Sequence, residues 1–159
     1  MQLKNRFPFL AAAILCLSLT LSACAEETTG QLTPDVKRLE NAAPQRVLFV
    51  GNSYFYYNDS LHNHVERIGE EIGPHAAGDY AFKSATIGGA RLSHHPVGKL
   101  LQPGRLGIEQ PFELVILQGG SMEPLTEESR AAFREKAIEL SEKIRATGAE
   151  VALYMTHAY

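Results

Sequence analysis

Continuous apolar runs alternate along the chain with segments whose apolar residues recur every three or four positions. The runs lie at 46–50, 80–86, 112–118 and 150–155. Runs of this length without polar alternation are typical of strands buried on both faces. The segments between them include two stripes with the 3.6-residue period of a helix. This order predicts an α/β domain with a parallel sheet that helices cover on both faces.

The two helical stripes have recognisable ends. Asp59 or Ser60 is placed to cap the first helix, Thr126 to cap the second, and Gly148 to end it. A shorter helix is predicted from about 91 to 101. The residues expected to face the sheet are Leu61, Val65, Ile68 and Ile72 in the first helix, and Phe133, Ala137, Leu140 and Ile144 in the second.

Small and polar residues cluster directly after each predicted strand. The four clusters are "GNS", "IGGAR", "QGGSMEP" and "THAY". In a parallel α/β sheet, the loops at the carboxyl ends of the strands meet at one edge and carry the functional groups. The sequence therefore predicts a site at that edge.

The first 23 residues have the layout of an export signal. Two basic residues precede an apolar run at 7–21, which is shorter than a spanning helix usually needs. The ending "LSAC" resembles the bacterial lipobox, so we expect cleavage before Cys24 and lipidation of that cysteine. An ordinary secretory signal cut near Ala23 or Ala25 is the alternative.

We expect residues 24–44 to form a polar tether and residues 45–159 to form the domain. A lipidated Cys24 would attach the exported protein to the cell envelope. Because Ala25 replaces the aspartate that resembles an inner-membrane retention signal, the outer membrane is favoured, with the domain facing the periplasm or the exterior. Cys16 lies in the leader, so the mature chain has no cysteine pair for a disulfide.

Composition and motif spacing exclude several function classes. The net charge is −3, and removing the two basic leader residues makes the chain more acidic. Without a basic cluster, no nucleic-acid partner is predicted. The "HNH" and "HH" pairs lack a further ligand for a metal, and "IGGARL" is not a dinucleotide fingerprint. We therefore predict no cofactor and no metal.

Ser53 follows the first strand, where a serine can act as a nucleophile if a base takes its proton. Alternatively, Ser53 or Asn52 only satisfies backbone groups of the turn. The segment "VLFVGNSY" resembles the first block of the SGNH hydrolases, the GDSL-like esterases, and "ATIGGARL" is similar to their second block. The resemblance implies a three-layer, flavodoxin-like sandwich, with Ser53 as the nucleophile and Gly51 allowing the bend before it.

The same resemblance implies an oxyanion hole. The glycine of the second block lends its amide, which makes Gly89 the first choice and Gly88 the second. The third block, Gly-x-Asn-Asp in the family, is replaced by "QGGSMEP", which lacks the asparagine. Gln118 or Ser121 would then supply the third donor.

The base and its orienting acid are not found in the sequence. In the family they form an Asp-x-x-His block after a fifth strand, and no such block occurs up to Tyr159. The resemblance implies that this segment is missing from a longer domain, of which four strands are visible. Five histidines are candidates for a substitute base, and none has a neighbouring carboxylate in sequence: His62, His64, His94, His95 and His157.

The expected function is hydrolysis of acyl or acetyl esters by a serine esterase, on a small ester or an acylated carbohydrate. Tyr54, Phe55, Tyr56 and Tyr57 would line a substrate groove or pack on the first helix. One alternative is a non-catalytic binding or scaffold lipoprotein of the same fold that lacks the base. Another is a flavodoxin-like module whose first loop receives an anion. Oligomeric state is not indicated.

Overall fold

A computed structural model describes residues 36–156, and its centre is a sheet of four parallel strands. The spatial order is β2-β1-β3-β4. Residues Val47 to Val50 of β1 pair with β3, and the whole of β1 pairs with β2 on its other side. The strand bounds are Arg46–Gly51 for β1, Ala81–Thr86 for β2, Leu114–Gln118 for β3 and Glu150–Tyr154 for β4.

Helices connect the strands and pack on both faces of the sheet. Four are α-helices and one is a single 3-10 turn at Leu92–His94. The α-helix bounds are Ser53–Tyr56 for α1, Leu61–Ile72 for α2, Val97–Leu100 for α3 and Glu127–Arg145 for α4. The predicted α/β class with a parallel sheet is confirmed, and the arrangement is a three-layer, flavodoxin-like sandwich. No helix within residues 36–156 is long and apolar enough to cross a bilayer.

Successive side chains of the strands point to opposite faces of the sheet and pack into two separate cores. On one face, Leu48, Val115 and Leu117 pack with α3 and with Leu140 and Ile144 of α4. On the other face, the core contains the residues that point the opposite way, with α1 and α2 packed above them: Val47, Phe49, Phe82 and Leu114. Because β1 and β3 are central, their side chains are covered from both sides, which explains their continuous apolar sequences.

The stripe of α2 was only partly predicted. Leu61 and Val65 pack on the sheet, but Ile68 and Ile72 are 58% and 79% exposed. An apolar groove of about 290 Å³ lies beside α2, lined in part by Ile68, Ile72, Leu114 and Ile116. The spacing of the apolar residues correctly identified a helix, but the elements that pack beside the helix decide how much of its apolar face is buried.

The two predicted caps differ. Thr126 accepts a hydrogen bond from the amide of Ser129, as predicted. Ser60 makes no such bond, and Asp59 does not cap α2 either, because residues 58–60 all have positive φ angles of 54° to 66°. Side chains of α2 hold this unusual turn, including an ion pair between Arg67 and Asp59 and a 2.7 Å contact from His64 Nε2 to the Asn58 carbonyl.

The residues just before β1 lie against the domain. Glu150 accepts the amides of Glu40 and Asn41 at 2.8 Å each, and Leu39 packs against the core under α2. These contacts reach back beyond the predicted boundary at residue 45. The predicted leader, Cys24 and the tether up to residue 35 lie outside the described residues, as does His157.

Candidate functional site

Ser53 is the first residue of α1, two residues after the last paired residue of β1. Asn52 caps this short helix, since its Oδ1 accepts the amide of Tyr54 at 3.3 Å. Ser53 is partly exposed, whereas Asn52 is 2% exposed. No hydrogen bond to Ser53 Oγ occurs within residues 36–156. The turn therefore uses Asn52, and not Ser53, to satisfy its backbone.

Asn52 binds together the first, second and third loops of the site, which follow β1, β2 and β3 respectively. Its Nδ2 donates to the Ala90 carbonyl at 3.0 Å and to the Gly119 carbonyl at 3.1 Å. Its own amide donates to Gln118 Oε1 at 3.0 Å. Because all these atoms are buried or nearly so, each bond is expensive to lose. The loop that presents Ser53 is thus held against both glycine-containing loops.

Gln118 lies beneath the site with no exposed surface. Its Oε1 accepts the Asn52 amide, and its side-chain amide donates to the Gly119 carbonyl. Because the oxygen and the nitrogen of the Gln118 side chain both form hydrogen bonds within the protein, Gln118 is better placed to support the loops than to contact a ligand. Ser121, which is partly exposed, is the better placed of the two predicted donors. Glu123 is 5% exposed and accepts the amide of Gly120, so it shapes the same loop.

Gly51 is required for a reason that differs from the predicted bend. It is the last residue of β1 and its φ is not positive. A Cβ there would lie 2.6 Å from Gln118 Oε1 and 2.8 Å from Phe55 Cδ2. The close approach of these side chains, and not backbone freedom, excludes a larger residue.

Replacement of Gly51 by alanine should therefore destabilise the fold by about 1–3 kcal/mol, the usual cost of overpacking. Gly98 of α3 is the matched control, because a Cβ there meets no atom within 4 Å. Urea unfolding of both variants checks this. An unfolding free energy of Gly51→Ala equal to that of the parent would contradict the packing seen around this residue.

Gly89 lies beside the Ser53 loop and is exposed. The second loop is fixed at both ends, since the Ile87 amide donates to the Gly51 carbonyl at 3.1 Å and the Ala90 carbonyl binds Asn52. Gly89 has a φ of 67°, a conformation that glycine adopts without strain. The Gly89 amide donates no hydrogen bond to another residue within 36–156. Its role in an oxyanion hole stays a prediction.

The rim of the site is apolar and aromatic. Phe55 is buried and its ring contacts that of Tyr154, with centroids 5.1 Å apart. Tyr56 and Tyr57 are 36% and 68% exposed, and their rings meet edge to face. The four consecutive aromatic residues thus divide between packing and exposure. Other large apolar side chains exposed on the four loops and at the end of β4 are Ile87, Met122, Leu125 and Met155.

No histidine within residues 36–156 bonds to Ser53. His94 is exposed, and its Nδ1 accepts the amide of Arg91 at 3.2 Å. His95 is buried, faces the Gly51 carbonyl and has an Nε2 atom without a partner. Burial lowers the pKa of His95, although the Gly51 carbonyl opposes this effect. Burial also lowers the pKa of His62, whose ring lies 6.4 Å from that of Phe49.

These two lowered pKa values predict acid sensitivity. Both imidazoles bind a proton less readily in the folded protein than in the unfolded chain, which takes up protons below a pH of about 6.5. Stability should be complete above that pH and decline as the pH falls toward the lowered pKa values. Urea unfolding between pH 5 and 8 should show a smaller decline for His95→Gln than for the parent. Equal declines in the two proteins would refute the role of His95.

Two surface cavities are lined by residues away from Ser53. One is the groove beside α2, and the other, about 320 Å³, lies at the amino ends of the strands near Arg46 and Glu113. Within the described part of the chain, no three His, Cys, Asp or Glu side chains are grouped as a metal site would need. Ser53 lines neither of these two cavities.

Comparison with known proteins gives no assignment. No family model matches the chain, and neither a curated protein nor a solved structure matches it significantly. The geometry around Ser53 is therefore the basis for a functional proposal.

Proposed function

We propose that this protein is a serine esterase of the SGNH type that hydrolyses acyl or acetyl esters. The proposal rests on the hydrogen bonds from Asn52 to the Ala90 and Gly119 carbonyls, which hold the Ser53 loop against the two glycine-containing loops. A partly exposed serine without a hydrogen-bonding partner among residues 36–156 then lies in the loop that Asn52 ties to the loop of Gly89. Preorganised hydrogen-bond donors are usually the largest single contribution in acyl transfer.

The reaction would proceed in two steps. Ser53 Oγ attacks the ester carbonyl while a histidine takes its proton, and the amides of Ser53 and Gly89 stabilise the oxyanion, with Ser121 as a further donor. The ester C–O bond then breaks, the alcohol leaves with the proton, and water hydrolyses the acyl-enzyme. The histidine is proposed to lie outside residues 36–156, because none of the described ones reaches Ser53.

The substrate is proposed to be a small ester or an acylated carbohydrate, since exposed tyrosines offer flat surfaces for a sugar or an acyl group. The lipid anchor on Cys24 and the location in the cell envelope rest on residues 1–25 alone. They remain part of the proposal, together with the absence of a cofactor.

A binding protein of the same fold is the second candidate, and the lack of a described histidine at Ser53 favours it. Hydrolysis assays distinguish the two. Protein expressed from the natural gene, to its stop codon, should release nitrophenol from p-nitrophenyl acetate and acetate from an O-acetylated oligosaccharide, above the rate of a heat-unfolded sample. Saturable binding of the oligosaccharide without release would favour the binding protein.

A further inference from the structure

Arg91 places a positive charge at the mouth of the Ser53 site. It directly follows Ala90, whose carbonyl binds Asn52, and it is two residues after Gly89. Its side chain lies across the third loop, since a Cβ added at Gly120 would be 3.3 Å from Arg91 Cγ. Arg91 therefore lies against both the second and the third loop, the two loops to which Asn52 holds the Ser53 loop.

Arg91 forms no ion pair with another described residue. The ion pairs found among residues 36–156 involve Arg46, Arg67, Lys136 and Lys143 instead. Its side chain is exposed. The acidic residue of the third loop, Glu123, is buried and occupied by the Gly120 amide.

Arg91 differs in charge from the other exposed side chains around the site. The remaining exposed rim is built from tyrosine and aliphatic side chains, and Asp59 of the first loop is paired with Arg67. Glu123 also has no ion-pair partner among the described residues, but it is buried, so Arg91 is the exposed charge without such a partner in the described parts of these loops. A guanidinium group has a planar set of donors that matches a carboxylate, and such bonds are about twice as strong as neutral ones.

We propose that Arg91 selects ester substrates that carry a carboxylate near the scissile bond. The carboxylate binds the guanidinium, which holds the ester carbonyl over Ser53 and Gly89. The inference rests on the proposed esterase function, because it names the substrate class of the same site. Arg91 is a specificity residue here and takes no part in bond breaking.

The test compares two esters that differ by one charge, 4-acetoxybenzoate and 4-acetoxybenzamide. Replacement of Arg91 by glutamine should lower kcat/KM for the charged ester about 10-fold to 100-fold, the usual value of a charge-assisted hydrogen bond. The uncharged ester should change by less than about 3-fold. Arg91→Lys should retain part of the preference, and Lys99→Gln, an exposed lysine on α3, should retain all of it. Raising the salt concentration from about 50 to about 500 mM should reduce the preference in the parent.

A binding arm separates this inference from the esterase proposal. The non-hydrolysable amides 4-acetamidobenzoate and 4-acetamidobenzamide are titrated into the parent and Arg91→Gln proteins and followed by NMR. Tighter binding of the carboxylate that Arg91→Gln loses supports the inference, even if no ester is hydrolysed. If the ratio of the dissociation constants for the charged and uncharged amides is the same in both proteins, the inference about Arg91 is overturned, even if Ser53 proves to be the nucleophile.

Discussion

Replacement of Ser53 by alanine is expected to reduce ester hydrolysis by the natural gene product by about 10⁴-fold or more. The reason is that the proposed acyl-enzyme forms on Ser53 Oγ. Without that atom, only the rate enhancement from the Gly89 amide and from substrate binding would remain. Because Ser53 Oγ makes no hydrogen bond within residues 36–156, the fold should tolerate the change. Initial rates with p-nitrophenyl acetate measure the effect, and urea unfolding should give the same midpoint for both proteins.

Ser93 provides the matched control. It is an exposed serine in the neighbouring 3-10 turn. Ser93→Ala should keep the rate of the parent within a factor of about two. If Ser53→Ala hydrolyses the ester as fast as Ser93→Ala, Ser53 is not the nucleophile.

Replacement of Asn52 by aspartate should cost about 2–4 kcal/mol of stability at pH 8. The side-chain nitrogen of Asn52 donates to the Ala90 and Gly119 carbonyls, so a buried carboxylate would face two oxygen atoms. The Ala90 carbonyl would lose this donor, and the Gly119 carbonyl would keep only the Gln118 amide. Ester turnover should fall as well, since the three loops would separate. Urea unfolding and initial rates measure the two effects.

The cost of Asn52→Asp should depend on pH. Burial against two carbonyls raises the folded-state pKa of the new carboxyl above its unfolded value of about 4. The variant should thus be closest to the parent at low pH and lose stability as the pH rises through the raised pKa. Asn41→Asp is the control, because Asn41 is exposed and its Oδ1 already accepts the Ala43 amide. A cost that is the same at pH 4 and pH 8 would contradict the hydrogen bonds from Asn52 to the two carbonyls.

Sequence patterns predicted the fold well because the layers are specified by apolar residues. The central strands β1 and β3 have continuous apolar sequences, and α4 combines a regular stripe with the Thr126 cap. Parallel strands bring their carboxyl ends to one edge, so the sequence correctly placed the loops of Ser53 and Gly89 at the same edge of the sheet.

The supporting residues of the site were not predicted, because sequence does not reveal where a polar side chain points. The sequence indicates only a local turn role for Asn52, and the family resemblance makes Gln118 an oxyanion donor. In the structure, both are buried and bind the backbone of neighbouring loops. A buried polar residue next to a strand end is a signal of such support, but burial becomes visible only once the loops are assembled.

Exposure of Ile68 and Ile72 shows a second limit. Their spacing is correct for a sheet-facing stripe, but both side chains border an apolar groove that stays open beside α2. An amphipathic pattern reports which face of a helix is apolar, and it does not report whether neighbouring elements complete the layer.

Covalent labelling tests the nucleophile most directly. Serine hydrolases react with fluorophosphonates when the activated oxygen attacks phosphorus and fluoride leaves, so the adduct stays on the nucleophile. The natural gene product, treated with a fluorophosphonate and analysed by intact mass and peptide mapping, should carry one adduct on Ser53. The adduct should be absent from Ser53→Ala and present in Ser93→Ala. An unmodified Ser53, or an adduct on another residue that persists in Ser53→Ala, would contradict the proposed esterase mechanism.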